Sequence, residues 1–142
     1  MQARMKGLME QEGLPYGDRT HTYNSRLAQE LGKWADTQGQ GDAFHDAMFQ
    51  AYFVTGQNIG DIETLVELAT QVGLSADEAR AVLTERRFQA AVDADWQRSR
   101  EFGVTGVPTF VADGRGVVGA QPYEVLERLM EMAGATVRDK EE

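Results

Sequence analysis

Gly103-Val104-Thr105-Gly106-Val107-Pro108-Thr109-Phe110-Val111 packs a helix stop, a proline and a strand into nine residues, and the rest of the chain is understood through it. Gly103 can take the left-handed conformation that ends a helix. Pro108 fixes its own φ and pushes Val107 into an extended conformation. Val107 to Ala112 then reads as a strand. A proline entering a strand is one of the few places where a cis peptide bond occurs, although the base rate for X-Pro bonds favours trans. The plain alternative for Val107-Pro108 is a turn that merely starts a strand.

Downstream, Asp113-Gly114-Arg115-Gly116 reads as a tight turn and Val117-Val118-Gly119 as a short second strand, which together make a β-hairpin. Pro122 suits the first position of a last helix, with Tyr123, Leu126, Leu129, Met130 and Ala133 facing inward and Gly134 as its stop. Residues 135–142 form a charged tail that is expected to fray.

Upstream the period is helical throughout. Met1, Met5, Leu8 and Met9 share one face of a first helix that Gly13-Leu14-Pro15 closes. Those methionines could form an adaptable binding face, core packing being their commoner use. Asn24 caps a second helix to about Gln38, carrying Leu27, Leu31, Trp34 and Ala35. A third runs from Asp42 to Gly56 with Phe44, Met48, Ala51 and Tyr52 on one side and Phe49 and Phe53 beside it, a wide arc that places it centrally in a helical bundle. Asp61 caps a fourth helix, with Ile62, Leu65, Val66, Ala69 and Val72 inward. Ser75 to Glu78 forms a capping box before a fifth, which carries Ala79, Val82 and Leu83. A sixth spans Phe88 to Phe102, with Phe88, Ala91, Val92 and Trp96 on one face. No segment repeats at a fixed period, which argues against a helical solenoid.

The 142 residues are 42% hydrophobic and 26% charged, as expected of a globular chain with a core. A net charge of −9 disfavours nucleic acid or an anionic membrane as partner, since both need a cationic face. No run is apolar enough for a membrane span or a signal peptide, so the cytoplasm is the expected compartment. The chain has no cysteine, hence no disulfide, thiolate nucleophile or cysteine–metal site. His21 and His45 lack further ligands at suitable spacing, so no metal site is expected. Asp93 and Asp95 point about 200° apart on a helix, which does not make a carboxylate pair. Gly114-Arg115-Gly116 lacks the context of a phosphate loop. No cofactor and no catalytic residue are assigned.

The Thr-Gly-Val-Pro-Thr-Phe strand, glycine turn, valine strand, Gly-Ala-Gln-Pro and last helix together resemble the C-terminal half of a thioredoxin-like fold. More narrowly, Tyr23-Asn24-Ser25-Arg26-Leu27-Ala28, Phe49-Gln50-Ala51-Tyr52-Phe53, Ile59-Gly60-Asp61, Val104 to Phe110 and Gly119-Ala120-Gln121-Pro122-Tyr123 resemble the DsbA-like family of the FrnE type. The resemblance implies a mostly α chain with a small β-hairpin, a partial thioredoxin-like fold. It places a helical insertion domain at 1–103 and a C-terminal β-β-α part at 104–134. It also implies that the first strand, the helix bearing Cys-x-x-Cys and the second strand lie outside this sequence, through truncation, an internal start at Met1 or an unusual gene product.

The family's catalytic cysteines match no position here. Its cis-proline matches Pro108, which makes Thr105, Gly106, Val107 and Pro108 the implied substrate-binding loop for a protein or peptide thiol substrate. Asn24 would lie near the groove, although a helix cap explains it equally. Three functions stay open. The chain is a piece of a thiol–disulfide oxidoreductase, a relative of the glutathione-dependent 2-hydroxychromene-2-carboxylate isomerases, or a binding module that dimerises through the bare edge of strand 107–112.

Overall fold

Glycines placed just after apolar-periodic runs punctuate the chain, and the structure, a computed structural model describing residues 2–136, shows helices ending there. The helices are α1 (Gln2–Gln11), α2 (Arg26–Thr37), α3 (Gly41–Phe49), α4 (Ile62–Gln71), α5 (Ala76–Thr84), α6 (Gln89–Glu101) and α7 (Tyr123–Met132). A π-helical segment, Gln50–Val54, continues α3, and strands β1 (Thr109–Ala112) and β2 (Arg115–Val118) form an antiparallel hairpin. The chain divides into two compact units, residues 1–93 and 94–142, with the division falling inside α6.

In the first unit α2 packs against α3, α4 and α5, and α4 also packs against α3 and α5. The stripe read from α2 is the one buried: Leu31 and Ala35 are fully enclosed with Phe44, Leu65, Ala69 and Ala79, and Trp34, Val82 and Leu83 nearly so. Each such large side chain contributes about 1.5–3 kcal/mol relative to exposure. Asp61 caps α4 by accepting from Thr64 N (2.9 Å), and Ser75 caps α5 by accepting from Glu78 N (3.3 Å). Asn24 does not cap α2. Its Oδ1 accepts from Arg26 N two residues on (2.9 Å), an Asx turn, and Ser25 holds the cap position.

Glu30, on the buried face of α2, is fully enclosed. Arg86 clasps it with two bonds, Nε to Oε2 (2.8 Å) and Nη2 to Oε1 (2.7 Å), and Arg26 Nε adds a third to Oε1 (2.8 Å). Arg26 Nη2 continues to Gln89 O (2.9 Å) and Asp93 Oδ1 (2.6 Å), so the network ties α2 to the α5–α6 connection. Arg86 has φ +53°, a left-handed backbone costing an L-residue about 1–2 kcal/mol.

Several expected burials do not occur. Met5 and Leu8 on α1 are exposed and α1 buries no residue, a ten-residue helix too polar in its remaining positions to present a wide apolar face. Met1 of the same stripe lies outside the described residues. Phe49 is 58% exposed, and Ala91 and Trp96 on α6 are exposed while Val92 is buried. The π segment widens the winding beyond Phe49, with Thr55 N donating to Gln50 O (3.1 Å) in place of an α-helical partner. Gly17 fits against this segment: its N–H donates to Phe53 O (2.8 Å), and a Cβ there would overlap the Val54 carbonyl. Gly17→Ala is therefore expected to destabilise by about 1–3 kcal/mol, whereas Gly7→Ala, in open space on α1, should be neutral or stabilising by up to about 1 kcal/mol. Thermal melts of the two variants check the contrast.

In the second unit, Asp113 and Gly114 (φ +48° and +69°) make a two-residue type I′ turn. The ladder pairs Thr109 with Val118, Phe110 with Val117, Val111 with Gly116 and Ala112 with Arg115, so Arg115 and Gly116 belong to β2 and not to the turn. α7 packs on both strands, and Arg115 Nη1 donates to Met132 O (3.1 Å) at the negative end of that helix. Leu129 is buried and Leu126 and Ala133 half-buried, but Tyr123 (72%) and Met130 (48%) are exposed. A two-stranded sheet is too narrow to cover the whole apolar arc of α7. Pro122 stands at the cap position of α7, one residue before the place expected for it. From residue 137 on, the expected charged tail lies outside the described residues.

Candidate substrate-binding loop

Helix α6 ends at Gly103 (φ +71°) in a Schellman motif, with Val104 N donating to Ser99 O (3.0 Å) and Gly103 N to Arg100 O (2.9 Å). The chain then turns through Thr105 and Gly106 into Val107-Pro108, whose peptide bond is cis. Thr109 Oγ1 donates to Gly106 O (2.6 Å) and pins the turn, and Gly119 N donates to Pro108 O (2.8 Å), extending the hairpin one bond beyond the ladder. The regular strand begins at Thr109, two residues later than expected, because Val107 and Pro108 are taken up by this turn.

Val107 is 91% exposed, and neither its N–H nor its C=O has a hydrogen-bond partner among the described residues. Thr105 and Pro108 are exposed and Gly106 half-buried. Among the described residues β1 pairs only with β2, so its other edge is unpaired. The four loop residues implied by the family resemblance thus form one continuous turn at the head of an open strand. No ionisable side chain belongs to the turn, so what it offers chemically is backbone hydrogen bonding beside an apolar side chain. With no cysteine in the chain, thiolate attack on a disulfide sulfur has no nucleophile here.

Among the described residues the perturbed ionisable groups sit in the helical unit. The Arg86 guanidinium, against the cost of burial and with help from Arg26, holds the Glu30 carboxyl below its ordinary value. Arg80 does the same for Glu63 through a two-bond clasp (3.1 and 2.8 Å). These shifts favour the charged forms of paired groups, the mark of structural ion pairs more than of an acid or base poised for proton transfer. Glu30 was not singled out in the sequence. The available signal was its position three residues after Leu27 and four before Trp34, inside the apolar stripe of α2. No group of three or more His, Cys, Asp or Glu that could hold a metal occurs among the described residues, and no helix there is long and apolar enough to cross a membrane.

A glycine-stopped helix, a Val-Pro turn, a short hairpin and a closing helix, joined to a helical bundle, define a DsbA-like variant of the thioredoxin fold. The chain belongs to the DSBA-like thioredoxin domain family, which it matches over residues 1–131. It is similar to the probable DsbA oxidoreductase SCO1869 of Streptomyces coelicolor, with 36% identity and a TM-score of 0.78 over 98% of this chain and 63% of that one. An uncharacterized protein of Bacillus subtilis, YwbO, is 34% identical over 114 residues, 76% of this chain and 54% of that protein. The cytosolic disulfide reductase DsbM of Pseudomonas aeruginosa, solved with GSH, shares the fold at 22% identity and a TM-score of 0.59, over 82% of this chain and 62% of that one. The chain therefore spans between about half and two thirds of the length of these three proteins.

Proposed function

We propose that this chain is the helical and C-terminal part of a FrnE-type thiol–disulfide oxidoreductase, in which Thr105, Gly106, Val107 and Pro108 form the substrate-binding edge. On this reading residues 1–103 are the helical insertion, 104–134 complete the thioredoxin-like domain, and the redox cysteines come from sequence outside this chain. The observation that carries it is the free backbone of Val107 on a nearly fully exposed residue, at the head of a strand with one open edge. An extended polypeptide can add to such a backbone as a further strand, hydrogen-bonding to Val107 N–H and C=O while its disulfide is presented to an adjacent thiolate. The substrate class is a protein or peptide disulfide, and the proposed compartment is the cytoplasm.

The coding region upstream of Met1 tests the reading. A strand followed by Cys-x-x-Cys is the expected result. A stop codon with no such motif would overturn it, and a serine in place of the first cysteine would move the assignment to a glutathione-dependent isomerase. The same open edge supports a second reading, in which another copy of the chain pairs with β1 across a two-fold axis. Sedimentation of the purified chain separates the two, because a concentration-independent monomer mass removes the dimer.

A further inference from the structure

We infer that the helical unit carries a binding site for an uncharged aromatic small molecule, in the cavity walled by α2, α3 and the π segment. The cavity has a volume of about 430 Å³, within the range of small-molecule sites. Two stretches of the sequence converge on it, Thr22 to Gln29 and Phe44 to Phe53, with Ile59 from the loop that follows. Its walls carry the rings of Tyr23, Phe44, Phe49, Tyr52 and Phe53, which suit the face or edge of a further ring.

The wall is built in advance of any ligand. Tyr52 and Phe53 meet edge to face at 4.8 Å, and the Arg19 guanidinium, not itself part of the lining, lies over the Tyr52 ring at 4.2 Å and the Phe53 ring at 5.2 Å. The π segment that supplies these rings is a distortion found frequently at functional sites. Charge selects the ligand class. None of the lining residues is Asp, Glu, Lys or Arg, the one ionisable base in the wall being His45, and the Arg19 charge lies behind the Tyr52 and Phe53 rings, so a charged ligand would lose its hydration without a fixed counter-charge in contact. Neutral hydrogen-bonding groups do reach the cavity, among them Ser25 and Gln29, whose side chains bond to each other at 2.9 Å, and these can serve a ligand's hydroxyl or carbonyl.

The test is a fluorescence titration of the whole chain with the neutral probe N-phenyl-1-naphthylamine. One saturable, blue-shifted site per chain is expected, with at least about tenfold weaker binding of the anionic analogue 8-anilinonaphthalene-1-sulfonate. Phe49→Ala removes an exposed part of the wall and Ser25→Trp obstructs the cavity from an exposed position. Each should weaken the probe by about tenfold or more while the thermal midpoint holds within a few degrees. Leu14→Ala alters only the neighbouring cavity formed with Met5 and Met9 and should leave binding unchanged. Absence of saturable binding, undiminished binding in both wall variants, loss in Leu14→Ala, or equal affinity for the anion would each overturn the inference.

Discussion

Arg86→Ala is expected to destabilise the helical unit by about 3 kcal/mol, read as a lower urea midpoint at unchanged slope. The cost arises from what is left behind. Glu30 has no exposed surface, and Arg86 gives it two charge-assisted hydrogen bonds beside the one from Arg26. Breaking a buried pair from one side costs about 3–5 kcal/mol, and the surviving Arg26 contact on Oε1 places this case at the lower end. Arg86→Gly should be milder by about 1 kcal/mol, because glycine adopts φ +53° without the penalty that alanine keeps.

The same pair sets an acid limb. Glu30 is held below its ordinary value of 4.5 in the folded chain, chiefly by Arg86. A depressed folded pKa means that the unfolded chain takes up the proton first, so this contribution is complete above the unfolded value and is lost as pH falls through the folded one. Stability should therefore fall with decreasing pH from about 4.5 downward, and the fall in that window should be shallower in Arg86→Ala. An unchanged slope would show that other carboxylates carry the acid limb.

Phe44→Ala should cost about 3–5 kcal/mol by the same measurement. Phe44 is fully enclosed on α3 between α2 and α4, and its ring lies near Gly32, where an added Cβ would sit 4.0 Å from Phe44 Cδ1. Truncation removes the ring and opens a void continuous with the existing aromatic cavity, which the packed helices cannot close. Phe44→Leu, which keeps most of the volume, should cost less than about 1.5 kcal/mol, and Phe49→Ala, five residues on but 58% exposed, should stay within about 1 kcal/mol. A large loss at Phe49 would mean that its ring is covered in solution.

The contrast between Phe44 and Phe49 also shows what periodicity can deliver. Both fall on the apolar arc of one helix, and spacing alone says only that the arc is wide. Which ring is covered depends on neighbouring helices and on the π winding that follows Phe49, neither of which has a local sequence signature. The glycine stops, the Asp61 and Ser75 caps and the hairpin were legible because each rests on near-neighbour chemistry: a left-handed residue, a side chain reaching a backbone N–H three residues on, a two-residue turn. At Val107-Pro108 near-neighbour chemistry marked only the entry to a strand, placed two residues early, and the loop itself came from the family resemblance. Glu30 was not legible, since a charged residue within an apolar stripe finds its meaning only in Arg86, 56 residues away. Tyr123 and Met130 fall on the apolar face of an amphipathic α7, yet how much of that face is covered depends on the width of the sheet it meets.

On the proposed function, Val107 offers its backbone to an extended polypeptide. Titrating the isotopically labelled chain with an uncharged peptide containing a disulfide, up to about millimolar, tests it through the backbone amide resonances. Saturable shifts are expected at Thr105, Gly106, Val107 and Thr109, and they should vanish in Val107→Pro, which lacks the N–H. Shifts confined to the helical unit, or none at Val107, would contradict it.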